Sequence, residues 1–393
     1  MNRLRVCIAC LDPYTFGGGT ASATWAMVNA LIRLGYEPTL LYVATRRKFT
    51  LSRQFHRANR YNAITVGYLP SFPYLANLLA GLVIRKDIRD FDIYQVVGGG
   101  AMAGAMFWVN RLRYAVWMGP TIVDEIGSVS WWEDMTMKNF SVAVVKILGR
   151  ISILLEKSVL QAAAKVLVQS PQFVESIPRF YGISQEKVSL LDFPIDVEKF
   201  SPGTPASKPS YRYILSVGRV DDARKNFPLL IRAFKRVKRE MPDLKLVIVG
   251  KISKKSKVRK LVEQLGMEED VILTGQVKEV VDYYRGAEAF VLSSRQEGLG
   301  IVVLEAMSCG IPVISTRCGG PEGIIRHGQT GWLTSQDEGD LSEAILEVLK
   351  NRDLRASMGK AAREYILEHH TMDLFCSRLQ KIYGEVYGGT AMV

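Results

Sequence analysis

Short, unbroken apolar runs recur along the chain. Each is followed by a glycine-rich or charged turn and then by a stretch with helical periodicity. The first run is LRVCIA, beginning at Leu4. A loop with Gly17, Gly18 and Gly19 follows, then an amphipathic helix through Leu34, a stop at Gly35 and a second strand. Continuous apolar runs suit strands covered on both faces, and strand, helix, strand at this spacing is a parallel βαβ unit. FDIYQVV, YAVWMG, KVLVQS and VSLLDF continue the series. From Asp192 to Tyr213 the periodicity stops, and prolines, serines and lysines cluster as in a linker. A second series then runs YILSVG, FPLLIRAFKRVKRE, KLVIVG, VILTG, AFVLSS, IPVIS and GWLT. The pattern predicts two doubly wound α/β halves of similar size, with a helix-rich tail.

Composition changes this picture little. The chain has 393 residues, of which 48% are hydrophobic and 23% charged, enough to bury two cores without staples. The five cysteines are scattered, and the Cys7-x-x-Cys10 pair lies inside a strand-like run, so they read as buried thiols in a reducing cytoplasm. The basic start leads through a short apolar run into the glycine loop, without a cleavage site, so no secretory leader is expected. YLANLLAGLVI is too short to span a membrane, and SVAVVKILGRISILLEKSVL is broken by Lys146 and Arg150. Either can lie on a membrane surface.

Charge is uneven. Of the net +12, residues 1–194 carry +8, from 21 Lys+Arg against 13 Asp+Glu. TRRKFTLSRQFHRANRY holds six basic residues and no acid. It reads either as a solvated loop or helix face, or as a surface attracting an anionic membrane or acceptor. Nucleic acid is not expected, since no base-stacking aromatics are interleaved with these charges and no recognition motif is present.

Candidate chemistry sits at strand ends in both halves, where open parallel sheets bind ligands. Around Gly18 and Gly19 the backbone can approach a ligand, and a helix N-terminus offers N–H groups to phosphate. In SVGRVDDARKNF, Arg219 and Lys225 bracket one loop. Guanidinium and ammonium there suit a diphosphate, or are two exposed surface cations. In SSRQEGLGIVVLEAMSCGIPVIS, Glu297 stands at a strand end before Gly298, Leu299 and Gly300, and Glu305 lies a little over one turn into the next helix. Such carboxylates can accept hydrogen bonds from sugar and ribose hydroxyls. His327 falls in an HGQTG turn and reads as exposed rather than catalytic.

SVGRVDDARKNFPLLIRAF, EGLGIVVLEAMSCGIPVIS and CGGPEGIIRHGQTGWL, in this order and spacing, resemble the family 4 glycosyltransferases, retaining enzymes of the GT-B fold. The resemblance is strong over Tyr213 to Leu333 and weaker in the first half, where Gly17 to Gly19 match the family's glycine loop. It implies two Rossmann-like, doubly wound parallel-sheet domains facing a central cleft. Residues 1–194 with 372–393 would form the acceptor-binding domain, and residues 195–371 the donor-binding domain.

The resemblance implies that Glu297 lies on the reacting face of the donor sugar and that Glu305 holds the ribose. Arg219 and Lys225 would grip the diphosphate, and backbone amides of Gly298, Leu299 and Gly300 would meet the sugar. Gly18 and Gly19 join the donor site. No metal or other cofactor is implied, and the DFD at Asp90 to Asp92 opens a strand and reads as structural. A family histidine after YAVWMG is absent. Asp124 or Glu125 stands there instead and could orient the acceptor hydroxyl. The loop KISKKSKVRK replaces an acidic Gly-Pro turn and either adds phosphate contacts or is solvated.

The implied partners are a nucleotide-sugar donor and a glycan or lipid-linked acceptor, on a cytoplasmic protein able to sit on a membrane face. Two other readings stay open: a nucleotide-sugar epimerase or glycosyl phosphorylase, and a silent sugar-nucleotide or membrane-binding protein.

Overall fold

The computed structural model describes residues 3–11, 13, 18–43, 53–58, 61–66, 73–98, 100–119, 142–206 and 209–388. The chain divides into two compact units, one from Met1–Gly127, Trp131–Pro194 and Met372–Val393, the other containing Ile195–Thr371.

The first unit is built on an eight-stranded sheet, ordered β3-β4-β2-β1-β5-β6-β7-β8. Its strands are β1 (Arg5–Cys10), β2 (Glu37–Val43), β3 (Arg53–Ala58), β4 (Tyr61–Val66), β5 (Ile93–Gly98), β6 (Ala115–Met118), β7 (Lys165–Val168) and β8 (Val188–Leu190). All neighbours run parallel except the edge pair β3–β4. β1 and β5 are buried almost throughout, as their unbroken apolar runs require. Of the basic stretch, the described part Arg53–Ala58 is neither loop nor helix. It supplies β3, whose RQFHRA mixes charges into an antiparallel edge, a common protection for an exposed strand.

The helix Gly19–Arg33 follows β1 and buries Ala23, Met27, Ala30 and Leu31, which recur at helical spacing. Pro73–Val83 and Val142–Ala162 are also helical. Among the described residues no helix is long and apolar enough to cross a membrane. The acidic DFD lies at the opposite end of the sheet from the strand C-termini. There Asp92 accepts the Arg5 N–H at 2.7 Å and tacks β5 to β1.

The last helix, Met372–Tyr387, packs onto the first unit. Tyr383 is fully buried and donates to Gln95 Oε1 at 3.0 Å; Tyr387 donates to the Tyr94 carbonyl at 2.7 Å. Phe375 meets Trp117, with ring centres 4.9 Å apart. Burying aromatics of this size contributes about 2 kcal/mol each, so the helix is part of this unit's core.

The second unit holds a six-stranded parallel sheet, ordered β11-β10-β9-β12-β13-β14. These are β9 (Arg212–Val217), β10 (Leu244–Val249), β11 (Val271–Gly275), β12 (Ala289–Leu292), β13 (Val313–Thr316) and β14 (Trp332–Thr334). Winding runs outward from β9 through β10 and β11, then restarts at β12 on the other side. The point of reversal therefore lies between β9 and β12, where doubly wound sheets open a crevice at the strand C-termini.

Within the linker-like segment, residues 197–201 are tied to the second unit. Arg363, half-buried, donates to the carbonyls of Val197 at 3.0 Å and Phe200 at 2.9 Å, and Arg285 holds the Ser201 carbonyl at 3.0 Å.

Candidate active site

Three loops converge beside the reversal point of the second sheet. The first, Gly218–Asn226, leaves β9. Asp222 caps a short 3₁₀ turn, Ala223–Lys225, by accepting the Arg224 N–H at 3.1 Å. It also receives the Arg224 guanidinium at 3.1 and 2.9 Å and Arg219 Nη2 at 2.7 Å. Burial alone would raise the Asp222 carboxyl, but the hydrogen bonds and charges of Arg224 and Arg219 outweigh it and hold the group below its ordinary value. Arg219 is thus anchored at one edge while its side chain stays 61% exposed.

The second loop, Ser293–Gly300, leaves β12. It is stitched to the first by Ser293 Oγ donating to the Lys225 carbonyl at 3.0 Å and by Arg295 N–H donating to the Arg224 carbonyl at 2.7 Å. This stitching brings Lys225 Nζ to 2.6 Å from Glu297 Oε1. Ser294 Oγ donates to the same oxygen at 2.6 Å and is itself pinned by Thr316, which donates to the Ser294 carbonyl at 2.6 Å. Glu297 Oε2 is left without a hydrogen-bond partner among the described residues. The Lys225 and Glu297 side chains are only 19% and 11% exposed, so their attraction is weakly screened compared with a surface pair.

The third loop follows β13. Glu297 pairs with Gly319 in a single bridge, its N–H donating to Cys318 O at 2.7 Å while Gly320 N–H donates to Glu297 O at 2.9 Å. Gly320 is required by contact. A Cβ there would sit 2.5 Å from Leu299 Cα and 2.6 Å from the Gly298 carbonyl. Gly300 precedes the helix Ile301–Ser308 with φ +82°, a left-handed conformation that glycine adopts without strain. Glycines on both sides therefore let the Gly298–Leu299 backbone be gripped closely.

Glu305 projects from that helix to Tyr284, whose hydroxyl donates to Oε2 at 2.7 Å. Burial pushes the Glu305 carboxyl up to about 7, against the lowering influence of the Tyr284 hydrogen bond and the Lys199 charge.

Of the sequence candidates, Lys225 and Glu297 are in direct contact. Arg219 stands on the same loop as Lys225, and Gly298, Leu299, Gly300 and Glu305 continue from Glu297. Gly18 and Gly19 lie on the first unit, exposed, where Gly18 (φ +86°) starts the helix Gly19–Arg33. Asp124 and Glu125 lie outside the described residues, as does Gly17. His327 is exposed, and its Nδ1 accepts the Leu333 N–H at 3.0 Å. In KISKKSKVRK, Ser256 caps the helix Lys257–Gln264 and the lysines are exposed.

The sequence reading missed Asp222, Arg224 and Ser294. Asp222 had a usable signal, since an aspartate just before a turn is a preferred cap. It also missed Glu156, which is wholly buried in the first unit. Its Oε1 accepts the Ala101 N–H at 3.0 Å, just past β5, and Oε2 accepts the Tyr181 hydroxyl at 2.5 Å. A lone acid on the apolar stripe of Ile153, Val159 and Leu160 was the available sign. All five cysteines are buried and unpaired by disulfides.

Residues 198–365 match the family model described as Glycosyl transferases group 1. The chain is 33% identical over 158 residues to an N-acetyl-alpha-D-glucosaminyl L-malate synthase of Bacillus anthracis, covering 40% of this chain and 41% of that one. The chain spans about half the length of the curated relatives it matches first, 52% and 53% for two D-inositol 3-phosphate glycosyltransferases. In fold it is similar to a sucrose-phosphate synthase from Thermosynechococcus elongatus, with TM-score 0.78 and 20% identity over 98% of this chain and 99% of that one. It is also similar to Anabaena HepE in complex with UDP-glucose, with TM-score 0.73 and 14% identity over 98% of this chain and 100% of that one. The fold class is GT-B.

Proposed function

We propose that this chain, whose residues 198–365 belong to the group 1 glycosyl transferases of family 4, moves a sugar from a nucleotide diphosphate sugar to an acceptor hydroxyl. The observation that carries the reading is the 2.6 Å contact between Lys225 and Glu297 at the reversal point of the second sheet. There an ammonium able to meet phosphate and a carboxylate able to meet a sugar are locked together by short hydrogen bonds. The bound UDP-glucose of the similar fold supports a nucleotide sugar as donor.

In the proposed reaction Arg219 and Lys225 neutralise the diphosphate as the bond from the anomeric carbon to the β-phosphate oxygen breaks. Stabilising that departing charge is the main electrostatic contribution. Glu297 faces the sugar with its free Oε2 and offsets positive charge at the anomeric carbon. The acceptor oxygen bonds to that carbon on the face the phosphate leaves, and its proton passes to the leaving phosphate oxygen. Configuration is retained, and no metal ion is needed because two side-chain cations fill its role. Glu305 accepts from the ribose hydroxyls, and the Gly298–Gly300 backbone meets the sugar. The hydroxyl-bearing acceptor binds the first unit, with Asp124 or Glu125 orienting it. A lipid-linked acceptor on an anionic membrane face fits the basic first half and the exposed Leu82, Ile151 and Leu154.

The test is incubation with radiolabelled nucleotide sugars and a panel of acceptors, in the presence of excess chelator. Transfer with the donor's anomeric configuration kept in the product is expected. Release of an epimerised nucleotide sugar, phosphate-dependent cleavage, or retention of unreacted donor would each replace this reading with another.

A further inference from the structure

The second unit carries another concave, charged feature, and none of its residues belongs to the site above. It is an open groove of about 690 Å³ beside the helix Phe227–Glu240, lined by Leu229, Arg232, Lys235, Arg236, Arg239 and Leu265. Its volume falls within the range of small-ligand sites. The four cations occupy positions i, i+3, i+4 and i+7 of one helix, so they form a single exposed stripe. From Arg232 to Arg239 the stripe extends about 10 Å along the axis.

The opposite wall is formed by Gln336, Asp337 and Glu338, and its acids are already engaged. Asp337 caps the next helix by accepting the N–H groups of Gly339 at 2.7 Å and Asp340 at 3.2 Å. Glu338 stands 3.6 Å from Arg232. Lys235 reaches only a carbonyl, that of Leu265, at 3.3 Å. Arg236 and Arg239 have no hydrogen bond or ion pair among the described residues. The groove therefore presents two unengaged guanidinium groups and one ammonium in a concave setting. Guanidinium forks match phosphate oxygens in pairs.

The geometry points to a binding site for a compact, soluble anion carrying two or more phosphate groups. No aromatic ring lines the groove, so a nucleobase has nothing to stack on. None of the large exposed hydrophobic side chains among the described residues lies in it, so nothing there would insert into a bilayer. Gln336, at one end, donates to the carbonyls of Arg295 and Arg317 at 3.0 Å each, and Arg295 lies two residues before Glu297. An occupant would thus sit one hydrogen bond from the backbone of the loop that carries Glu297.

This proposal does not rest on the transferase reading. Its test is calorimetric titration with inorganic triphosphate at two salt concentrations. A site is expected that survives in the Arg219→Ala/Lys225→Ala double variant. In Arg236→Gln/Arg239→Gln its affinity should fall at least ten-fold, with the melting curve unchanged because both positions are exposed. The proposal is overturned if wild-type protein shows no such site, or if Arg236→Gln/Arg239→Gln binds triphosphate as the wild type does. It is also overturned if that variant instead loses binding to phosphatidylglycerol vesicles while triphosphate binds neither protein.

Discussion

Each unit places a carboxylate just beyond the C-terminal end of a strand, and the two are held in different ways. Between β9 and β12, Glu297 is paired with an ammonium, fixed by a serine hydroxyl, and keeps one oxygen uncommitted at a partly open surface. Just past β5, Glu156 is fully buried, and both of its oxygens are engaged by the Ala101 N–H and the Tyr181 hydroxyl. The difference separates work on a ligand from work on the backbone. A carboxylate with a free oxygen and a counter-ion can exchange partners when substrate arrives. One whose oxygens are satisfied inside the core can only hold what it already holds, here the Ala101 backbone and the Tyr181 hydroxyl.

Exchanging each acid for its amide tests this contrast most severely. Glu297→Gln is expected to lower turnover about a hundred-fold or more, with little change in donor KM or in melting temperature. Glu156→Gln is expected to do the reverse, lowering unfolding free energy by about 1–3 kcal/mol in denaturant titrations while the folded fraction keeps its turnover. The contrast breaks if Glu156→Gln abolishes turnover without loss of stability.

A smaller effect is expected on the cationic side. Arg219→Ala should weaken binding of free nucleoside diphosphate about ten-fold or more, read by calorimetry, because a charge-assisted hydrogen bond is lost. Unchanged affinity would remove Arg219 from the phosphate site and leave Lys225 alone there.

The smallest effect concerns Glu305, whose carboxyl is pushed up to about 7 by burial. Between its unfolded value and about 7 the folded chain keeps a proton that the unfolded chain has lost. Stability contributed by this group is therefore present at low pH and falls as pH rises through that window. Glu305→Gln should flatten that part of the stability profile, measured by denaturant midpoints across pH. An unchanged slope would show that Glu305 titrates as an ordinary surface acid.

The parallel strands are legible in the sequence because a strand covered on both faces is apolar from end to end, as in VCIAC and KLVIVG. The edge strand β3 is not, because its charges suit an edge and mimic a solvated loop. The family pattern marks Arg219, Lys225, Glu297 and Glu305 by spacing alone. Spacing does not tell which of them touch. The 2.6 Å contact depends on β12 lying beside β9, and that adjacency comes from strand order rather than from any local run of residues. Ser294, and the partners that Asp222 takes beyond its cap, stay hidden for the same reason. The work of both residues is to orient neighbours, and only the folded loop shows which neighbours those are.

The helix Met372–Tyr387 carries a consequence for how the molecule is made. Tyr383 and Phe375 complete the core of a unit whose described strands are all translated before residue 195. During synthesis that first sheet must wait, with the face around Trp117 and Gln95 uncovered, until residues 372–387 have been translated. The second unit can close earlier, so the half translated first finishes folding last. A released chain ending at Thr371 should display a protease-resistant second half and a cleavable first one.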